Sequence, residues 1–260
     1  MARVSGRPEV CLASSGPGAT NLVTAIADAK LDSIPIIALT GQVPLSMIGT
    51  DAFQEVDTYG MTIPITKHNF LVRSAKDLLE VIPAAFRIAM SDRPGPVLVD
   101  VPKDVQNQMV SFDAYPDVVL PDAAPTFDIA AVEEAAKMIE AAERPVLYLG
   151  GGVIHSGAAA MAVTLAEQAS LPTTMTLMAL GAMPMDHPLA IGMLGMHGAR
   201  YTNYVLEEAD LLICVGARFD DRAIGKTAEF CPNAKIIHID IDRSELHKVK
   251  DAHVAIAGDV

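Results

Sequence analysis

The sequence predicts an α/β protein made of two doubly wound parallel-sheet domains, the first of them incomplete. Short continuous apolar runs, of which 211–215 is the clearest, are typical of strands buried on both faces of a parallel sheet. These runs alternate with segments of helical periodicity, and glycine or proline marks most of the boundaries. The 260 residues suffice for one large domain or two ordinary ones.

A region without periodicity divides the chain. Three prolines and three aspartates fall between residues 113 and 127, a composition that favours an extended connection over a helix or strand. We therefore interpret 113–127 as a linker between a first domain, 1–112, and a second domain, 128–260.

The first domain shows a strand–helix–strand pattern. Its predicted strands are 9–13, 35–41, 66–72 and 97–101, and its predicted helices are 22–30 and 75–91. A helix between two parallel strands serves as a right-handed crossover. Residues 14–21 form a glycine-rich turn before the first helix, and 42–55 is a long loop after the second strand, where functional residues are often found.

The second domain repeats this order. Its predicted helices are 129–142, 157–169 and 201–208, and its predicted strands are 145–149, 172–176, 211–215, 235–242 and 253–256. No helix or strand is predicted for the glycine turn 150–152. The same holds for 187–197, an apolar stretch rich in Met and Gly. Because the chain begins at a strand and no helix follows the last one, we expect a part of a longer protein.

Composition limits the partners. The formal net charge is −13 with no basic patch, which argues against nucleic acid and anionic membranes. No apolar run is long enough to span a membrane, and the start lacks a signal-peptide hydrophobic region.

Cys11, Cys214 and Cys231 are widely spaced and odd in number, so we expect a reducing cytoplasm and no disulfide framework. The seven histidines lack metal-ligand spacing, and we predict no metal site in this chain.

Three features of the second domain point to a dinucleotide. The glycines at 150–152 would let a pyrophosphate approach the backbone, Arg218 and Arg222 could offset its charge, and Asp240 ends a strand where it could bind ribose hydroxyls. Each feature also has an ordinary explanation, since a glycine run is often a plain turn and an Asp after a strand is often a helix cap. Their occurrence in one α/β domain favours nucleotide binding.

Six motifs resemble the acetolactate synthase (acetohydroxyacid synthase) family and occur in that family's order. They are SGPGATN at 15–21, GTDAFQE at 49–55, RPGPV at 93–97, PKD at 102–104, MLGMHG at 193–198 and GARFDDR at 216–222. The resemblance implies that 1–112 is the later part of a thiamine diphosphate pyrimidine-binding domain. It also implies that 128–260 is a central FAD-binding domain, truncated at its end.

The resemblance implies an enzyme that uses thiamine diphosphate and Mg²⁺. In the family, pyruvate loses carbon dioxide and its remaining two-carbon unit joins pyruvate or 2-ketobutyrate. The products, 2-acetolactate and 2-aceto-2-hydroxybutyrate, are precursors of valine, leucine and isoleucine. FAD has a structural role, and the catalytic subunit forms a dimer or tetramer and can bind a small regulatory subunit. The family's catalytic glutamate and its metal-binding Gly-Asp-Gly motif match nothing in this chain, so we expect it to be inactive alone.

The resemblance also assigns residues. Phe53, Gln54, Lys67 and Lys103 match positions in the substrate channel and active site, where Gln54 can hydrogen-bond the reacting molecule and Lys103 can attract an anionic keto acid. The residues that match FAD contacts are Arg93, Gly151, Thr176, Leu177, Leu194, Gly195, Met196, His197, Gly216, Ala217, Arg218, Phe219, Asp220, Asp240, Ile241, Asp259 and Val260.

Two alternatives remain open at this point. One is another FAD-containing thiamine diphosphate carboligase or decarboxylase, such as glyoxylate carboligase or sulfoacetaldehyde acetyltransferase. The Phe53–Gln54 pair and the 218–222 motif argue against it. The other is a nucleotide-binding module without catalytic activity.

Overall fold

The chain divides into two units, Met1–Ala123 and Ala124–Val260. The structure, a computed structural model, describes residues 1–117 and 120–260, so Val118 and Val119 of the predicted linker lie outside the described residues. Asp122, near the end of that linker, is held by the first unit. The Arg87 guanidinium donates to both of its carboxylate oxygens, at 2.9 and 2.8 Å, and its backbone N–H donates to Ser91 Oγ at 2.9 Å.

The first unit is a four-stranded parallel sheet with the order β1-β2-β4-β3. Its elements are α1 (Ala2–Ser5), β1 (Glu9–Ala13), α2 (Pro17–Leu31), β2 (Ile36–Gln42), α3 (Thr58–Thr62), β3 (His68–Leu71), α4 (Leu78–Met90), β4 (Val97–Pro102) and α5 (Lys103–Gln106). Short 3-10 turns occupy Leu45–Met47, Ile63–Ile65 and Ala75–Asp77.

Two expectations for the first unit were wrong. The first described element is the short helix α1, not a strand. Helix α2 begins at Pro17, five residues before the predicted start, because the fixed φ of proline suits the first helical turn and the positive φ of Gly16, 57°, makes the preceding bend.

The second unit is a six-stranded parallel sheet with the order β10-β9-β8-β5-β6-β7. Its elements are α6 (Ile129–Ala141), β5 (Pro145–Leu149), α7 (Gly151–His155), α8 (Ala159–Gln168), β6 (Thr173–Met175), β7 (Ala190–Met193), α9 (Arg200–Glu208), β8 (Leu211–Val215), α10 (Asp221–Ile224), β9 (Lys235–Asp240) and β10 (Val254–Ala257). A 3-10 turn, Leu177–Ala179, follows β6. The fold class, two parallel-sheet α/β units, is confirmed.

The strand order of the second unit has a topological switch point. The chain runs outward from β5 to β7, returns to β8 beside β5, and then runs outward in the opposite direction to β10. Neighbouring connections therefore diverge at the carboxyl ends of β5 and β8 and leave a crevice there, which is where open α/β sheets bind ligands.

Apolar layers cover both faces of this sheet. All five residues of β8 are buried. Leu147 and Ile213 pack on one face with Ala166 of α8, whereas Tyr148 and Cys214 face the opposite layer, to which Leu206 of α9, Phe219 and Phe230 also belong. This two-sided burial explains why the strands are continuous apolar runs. In the parts of the chain that the structure describes, no helix has both the length and the apolar character needed to cross a membrane.

Candidate functional site

The predicted FAD contacts in the second unit all follow the carboxyl ends of its strands. Gly151 follows β5, Thr176 and Leu177 follow β6, Leu194 to His197 follow β7, Gly216 to Asp220 follow β8, Asp240 ends β9 and Ile241 follows it, and Asp259 and Val260 follow β10. Since all six strands are parallel, these positions share one edge of the sheet. The sequence-predicted residues are thus brought together at the edge that contains the switch point.

Glycines let two loops meet at the switch point. The Gly150 N–H donates to Val215 O at 2.9 Å, and the Gly152 N–H donates to Gly216 O at 3.0 Å. A Cβ at Gly150 would lie 2.1 Å from Gly216 O, and Gly216 itself has a φ of 59°. Two backbones therefore occupy the space that side chains would fill, and this edge presents main chain rather than side chains to a ligand.

Strand side chains fix the loop that follows β8. The Tyr148 hydroxyl donates to Arg218 O at 3.3 Å, and the Cys214 thiol donates to Ala217 O at 3.2 Å. His238 Nε2 lies 3.0 Å from the same Ala217 oxygen, which assigns the proton of the neutral ring to Nε2. Burial lowers the pKa of His238, although the bond to Ala217 opposes this shift. The loop is therefore held by neutral groups.

Side chains in this loop divide between the core and the ligand edge. Ala217 and Phe219 are buried, and the Phe219 ring packs against His238 with centroids 5.1 Å apart. Leu194 is buried in the same cluster, so these three residues could contact a ligand mainly through their backbone. Arg218 is half-buried, and its guanidinium donates no hydrogen bond to any residue that the structure describes, which leaves it available to an anion.

The two predicted aspartates differ in their surroundings. Asp220 accepts hydrogen bonds from the N–H groups of Arg222 and Ala223, at 3.0 and 3.2 Å, so it caps α10. Asp240 is buried, and its Oδ1 accepts from the Asp242 N–H at 2.8 Å. Arg222 points outward, with 67% of its side chain exposed. Its guanidinium donates to Met196 Sδ at 3.7 Å in the loop after β7, whereas the half-buried Arg218 guanidinium keeps its donors for a ligand.

The loop after β7 is fastened to its neighbours. The Asn203 amide accepts from Gly195 N–H at 2.9 Å and donates to Gly195 O at 3.1 Å, and Met196 N–H donates to Arg222 O at 2.9 Å. Met196 and His197 are exposed beside this anchor. Sequence reasoning missed Asn203, whose position in α9 carries no pattern of its own.

Thr176 lies at the same sheet edge and has an unpaired hydroxyl among the described residues. Its Oγ1 is buried and has no hydrogen-bond partner among the described residues, whereas the next side chain, Leu177, is 71% exposed. A buried hydroxyl without a partner is unfavourable by about 1–3 kcal/mol. A polar atom of a bound cofactor could satisfy this hydroxyl, so the sheet edge fits a dinucleotide.

In the first unit, Phe53 and Gln54 lie on the loop between β2 and α3. Phe53 is 88% exposed, and Gln54 has a positive φ of 61°, an uncommon conformation for a residue other than glycine. Gly16 packs against Gln54 so closely that a Cβ there would lie 2.8 Å from Gln54 O. The Glu55 carboxylate accepts from the N–H groups of Gly49, Thr50 and Ala52, which lowers the pKa of Glu55.

Lys103 lies near this loop, but Lys67 and Arg93 do not. Lys103 follows β4, whose last residue, Pro102, pairs with Gln42 at the end of β2. Lys67 precedes β3 at the opposite edge, and its ammonium group donates to Ile88 O and Ser91 O near the end of α4. Arg93 precedes β4 at that same edge, and its Nε donates to Ser33 Oγ at 2.8 Å. The structure therefore does not bring Lys67 together with Gln54 and Lys103.

Sequence reasoning also missed Asp100, which it placed in an ordinary apolar strand. Its side chain accepts hydrogen bonds from Thr40 Oγ1 at 2.8 Å and Gln42 Nε2 at 3.0 Å. Burial raises the pKa of Asp100 to about 6, although both hydrogen bonds oppose the shift. The signal available in the sequence was a single acidic residue inside the apolar run 97–101.

Comparisons with known proteins agree with these observations. Residues 132–260 match the family model described as thiamine pyrophosphate enzyme, central domain, and residues 1–61 match thiamine pyrophosphate enzyme, N-terminal TPP binding domain. The two models together match more than two thirds of the chain.

Similar proteins extend the match to the whole chain. Acetolactate synthase isozyme 1 large subunit of Escherichia coli is 67% identical over 260 residues, which are 100% of this chain and 46% of that protein. The isozyme 2 large subunit of the same organism is 50% identical over 259 residues, 100% of this chain and 47% of that protein. The acetolactate synthase large subunit of Corynebacterium glutamicum is 51% identical over 260 residues, 99% of this chain and 42% of that protein.

The chain thus spans less than half the length of these relatives. The motif order in the sequence, the two parallel-sheet units and the similarity along the whole chain all lead to the same assignment. The chain belongs to the thiamine pyrophosphate enzyme family, within which it is similar to the large subunits of acetolactate synthase.

Proposed function

We propose that the second unit binds FAD along the carboxyl edge of its sheet. The observation that carries this proposal is the strand order: the predicted contacts of all six strands follow carboxyl ends along one edge of the sheet, and that edge contains the switch point between β5 and β8. The glycine backbones around Gly150 and Gly216 would receive the pyrophosphate, Arg218 would offset its charge, and Asp240 would accept hydrogen bonds from a ribose. The buried Thr176 hydroxyl would gain the partner that it lacks among the residues the structure describes.

We further propose that these residues form part of an acetolactate synthase. Such an enzyme decarboxylates pyruvate and joins the two-carbon unit to pyruvate or 2-ketobutyrate, and it requires thiamine diphosphate and Mg²⁺. Thiamine diphosphate supplies an electron sink to this reaction, whereas FAD has a structural role. The proposal rests on similarity along the whole chain, since these residues correspond to less than half of each relative.

Residues of the first unit would act on the substrate. The exposed Phe53 ring would exclude water from the reacting carbon atoms, and the Gln54 amide would orient a keto acid by hydrogen bonding. Lys103 would attract the carboxylate of a 2-keto acid to this edge, which matters in a chain whose formal net charge is −13.

The assembly and location follow as further proposals. We propose a homo-oligomer, a dimer or tetramer, with a small regulatory subunit; the name "large subunit" in the relatives supports a smaller partner. We also propose that the protein works in the cytoplasm. The three cysteines support a reducing compartment, because they are odd in number and widely spaced in the sequence.

Flavin retention tests the central proposal. The purified chain is incubated with FAD and desalted, and its visible absorbance is recorded. We expect flavin to remain bound, and we expect Arg218→Ala to weaken affinity by roughly tenfold to a hundredfold, the value of one charge-assisted hydrogen bond of about 1.5–3 kcal/mol.

Arg222→Ala is the matched control. It removes the same charge from the same motif, but its side chain is 67% exposed, so flavin affinity should change less than about threefold. Circular dichroism of each sample establishes that it is folded. A folded chain that retains no flavin, or equal losses in the two variants, would contradict the proposal.

A further inference from the structure

The loop that carries Phe53 and Gln54 is fastened at its base by two buried side chains. We propose that Gln42 and Asp100 are positioning residues that hold this loop, residues 43–56, in its working conformation. The inference rests on the proposed function, because that function gives Phe53 and Gln54 their role.

Gln42 binds both ends of the 43–56 loop. Its Nε2 donates to Val56 O at 2.8 Å, and its Oε1 accepts from Val43 N–H at 2.8 Å. Gln42 is the last residue of β2, so its own backbone belongs to the sheet. One side chain thus ties the first and last residues of the loop to a rigid strand, which restricts how the loop can move.

Asp100 fixes the orientation of the Gln42 amide. Its Oδ2 accepts from Gln42 Nε2 at 3.0 Å, and its Oδ1 accepts from Thr40 Oγ1 at 2.8 Å. An ionised carboxylate only accepts hydrogen bonds, so the amide must present its nitrogen here and its oxygen to Val43. A rotated amide would lose the bonds to Val43, Val56 and Asp100 together.

Burial indicates that this pair has a specific role. Asp100 is 1% exposed and Gln42 is 6% exposed, in a sheet whose other interior residues are mostly apolar. A buried carboxylate is unfavourable compared with an apolar residue of similar size unless its bonds serve a purpose. The arrangement at the loop base supplies such a purpose.

The rest of the loop is organised by its own hydrogen bonds and by two outer contacts, since Leu45 N–H donates to Asp104 Oδ1 at 3.0 Å and Gly16 packs against Gln54. The Glu55 carboxylate accepts hydrogen bonds from the N–H groups of Gly49, Thr50 and Ala52, and the Thr50 hydroxyl donates to Met47 O at 2.7 Å. These bonds join the tip into one piece. A displacement at Gln42 would therefore move Phe53 and Gln54 as a unit.

Hydrogen exchange of the whole chain, followed by mass spectrometry, tests the proposal. We expect Gln42→Ala and Asp100→Ala each to speed exchange of the 43–57 amides by at least about tenfold, while β4 and the second unit keep their protection. Asp100→Asn should restore most of the protection, because its amide oxygen can still accept from Gln42. Thr40→Val is the matched control: it removes the other bond to the same carboxylate and should change loop exchange less than about threefold.

The outcomes separate positioning from general stability. Unchanged loop exchange in both alanine variants would overturn the proposal. Faster exchange across β1, β2 and β4 would also overturn it, because the pair would then support the sheet rather than the loop. The measurement involves neither flavin nor turnover, so its result is independent of whether the proposed enzymatic function holds.

Discussion

At the scale of single residues, Asp100 shows how burial alters a carboxyl group. The group lies in β4 between apolar neighbours and is 1% exposed. Loss of hydration is the main reason that its pKa rises to about 6, and repulsion from Asp57 adds to the rise. The bonds from Thr40 and Gln42 oppose it. Because the folded-state pKa exceeds the unfolded value of 3.8, the folded chain releases this proton at a higher pH than the unfolded chain does.

This shift predicts how Asp100→Asn changes stability with pH. At pH values well below 3.8 the carboxyl group is neutral in both states, and its contribution to the free energy of unfolding does not vary. As the pH rises from about 4 to 7, the free energy of unfolding of the wild-type chain falls because the buried carboxyl group must ionise. The Asn variant has no ionisable group at this position, so its free energy of unfolding lacks this decrease. The variant should therefore gain roughly 2–3 kcal/mol relative to wild type across this window, measured by urea unfolding at several pH values.

Asp122→Asn provides a control of opposite sign. The Arg87 guanidinium is the main cause that lowers the pKa of Asp122, so its favourable contribution is present at neutral pH and disappears as the pH falls through the folded-state pKa. This variant should lose stability relative to wild type as the pH rises. Parallel curves for wild type and Asp100→Asn between pH 4 and 7 would show that the Asp100 pKa is not raised.

At the scale of elements, the junction between β5 and α7 determines the shape of the candidate flavin site. Gly150 separates the strand from the helix, and its backbone touches the loop after β8. A Cβ at this position would meet Gly216 O at 2.1 Å and Ala217 Cα at 2.4 Å. Both are backbone atoms that cannot rotate away, so the glycine is required by a contact between two loops.

We therefore expect Gly150→Ala to destabilise the second unit by about 3 kcal/mol or more, through overpacking against fixed backbone. Gly151→Ala is the neighbouring control. Its nearest contact would be Met178 Cβ at 3.1 Å, and it lies in the first turn of α7, where Ala is favoured over Gly. Its change in unfolding free energy, from urea titration, should stay within about 1 kcal/mol. Similar losses for the two variants would show that the loop contact is not the cause.

The elements that could be predicted from the sequence are those determined by local pattern. Strand β8 has the predicted bounds because a buried parallel strand needs only a continuous apolar run. Helix α7 was missed because glycine tracts are typical of turns, and its conformation depends on Gly216, far along the chain. Strand β7 was missed because Gly192 interrupts its apolar run, within a stretch rich in Met and Gly.

The candidate site could be predicted in part for a similar reason. Positions that follow strands meet at one edge once the strands are parallel, so the loop residues of the second unit could be placed without a structure. The bond between Gln42 and Asp100 joins residues 58 apart, and no local pattern indicates it. Lys67 lies just before β3, so its edge of the sheet depends on the residue at which that strand begins. The predicted strand, 66–72, begins two residues before β3 does.

At the scale of the whole molecule, the two units differ in how fully their sheets are covered. The second unit has a buried layer on each face of its sheet, and both layers consist of its own residues. In the first unit, β1 exposes Val10 and Leu12, at 44% and 76%. A unit that covers both faces of its sheet has the hydrophobic core that independent folding requires.

Residues 124–260, expressed alone, should therefore fold and unfold cooperatively in urea, with a far-ultraviolet circular dichroism spectrum typical of α/β proteins. Within this fragment, Ile213→Ala should reduce the free energy of unfolding by about 2–5 kcal/mol, because Ile213 is 1% exposed in the central strand β8. Ile154→Ala is the control, because it removes the same atoms from a residue that is 42% exposed. It should lower the free energy of unfolding by less than about 1 kcal/mol. A broad transition, or equal effects of the two substitutions, would show that the fragment collapses without the specific packing of its sheet. A cooperative transition would instead establish that the sheet edge proposed to bind FAD is built by these residues alone, so that the flavin titration can be repeated on the fragment.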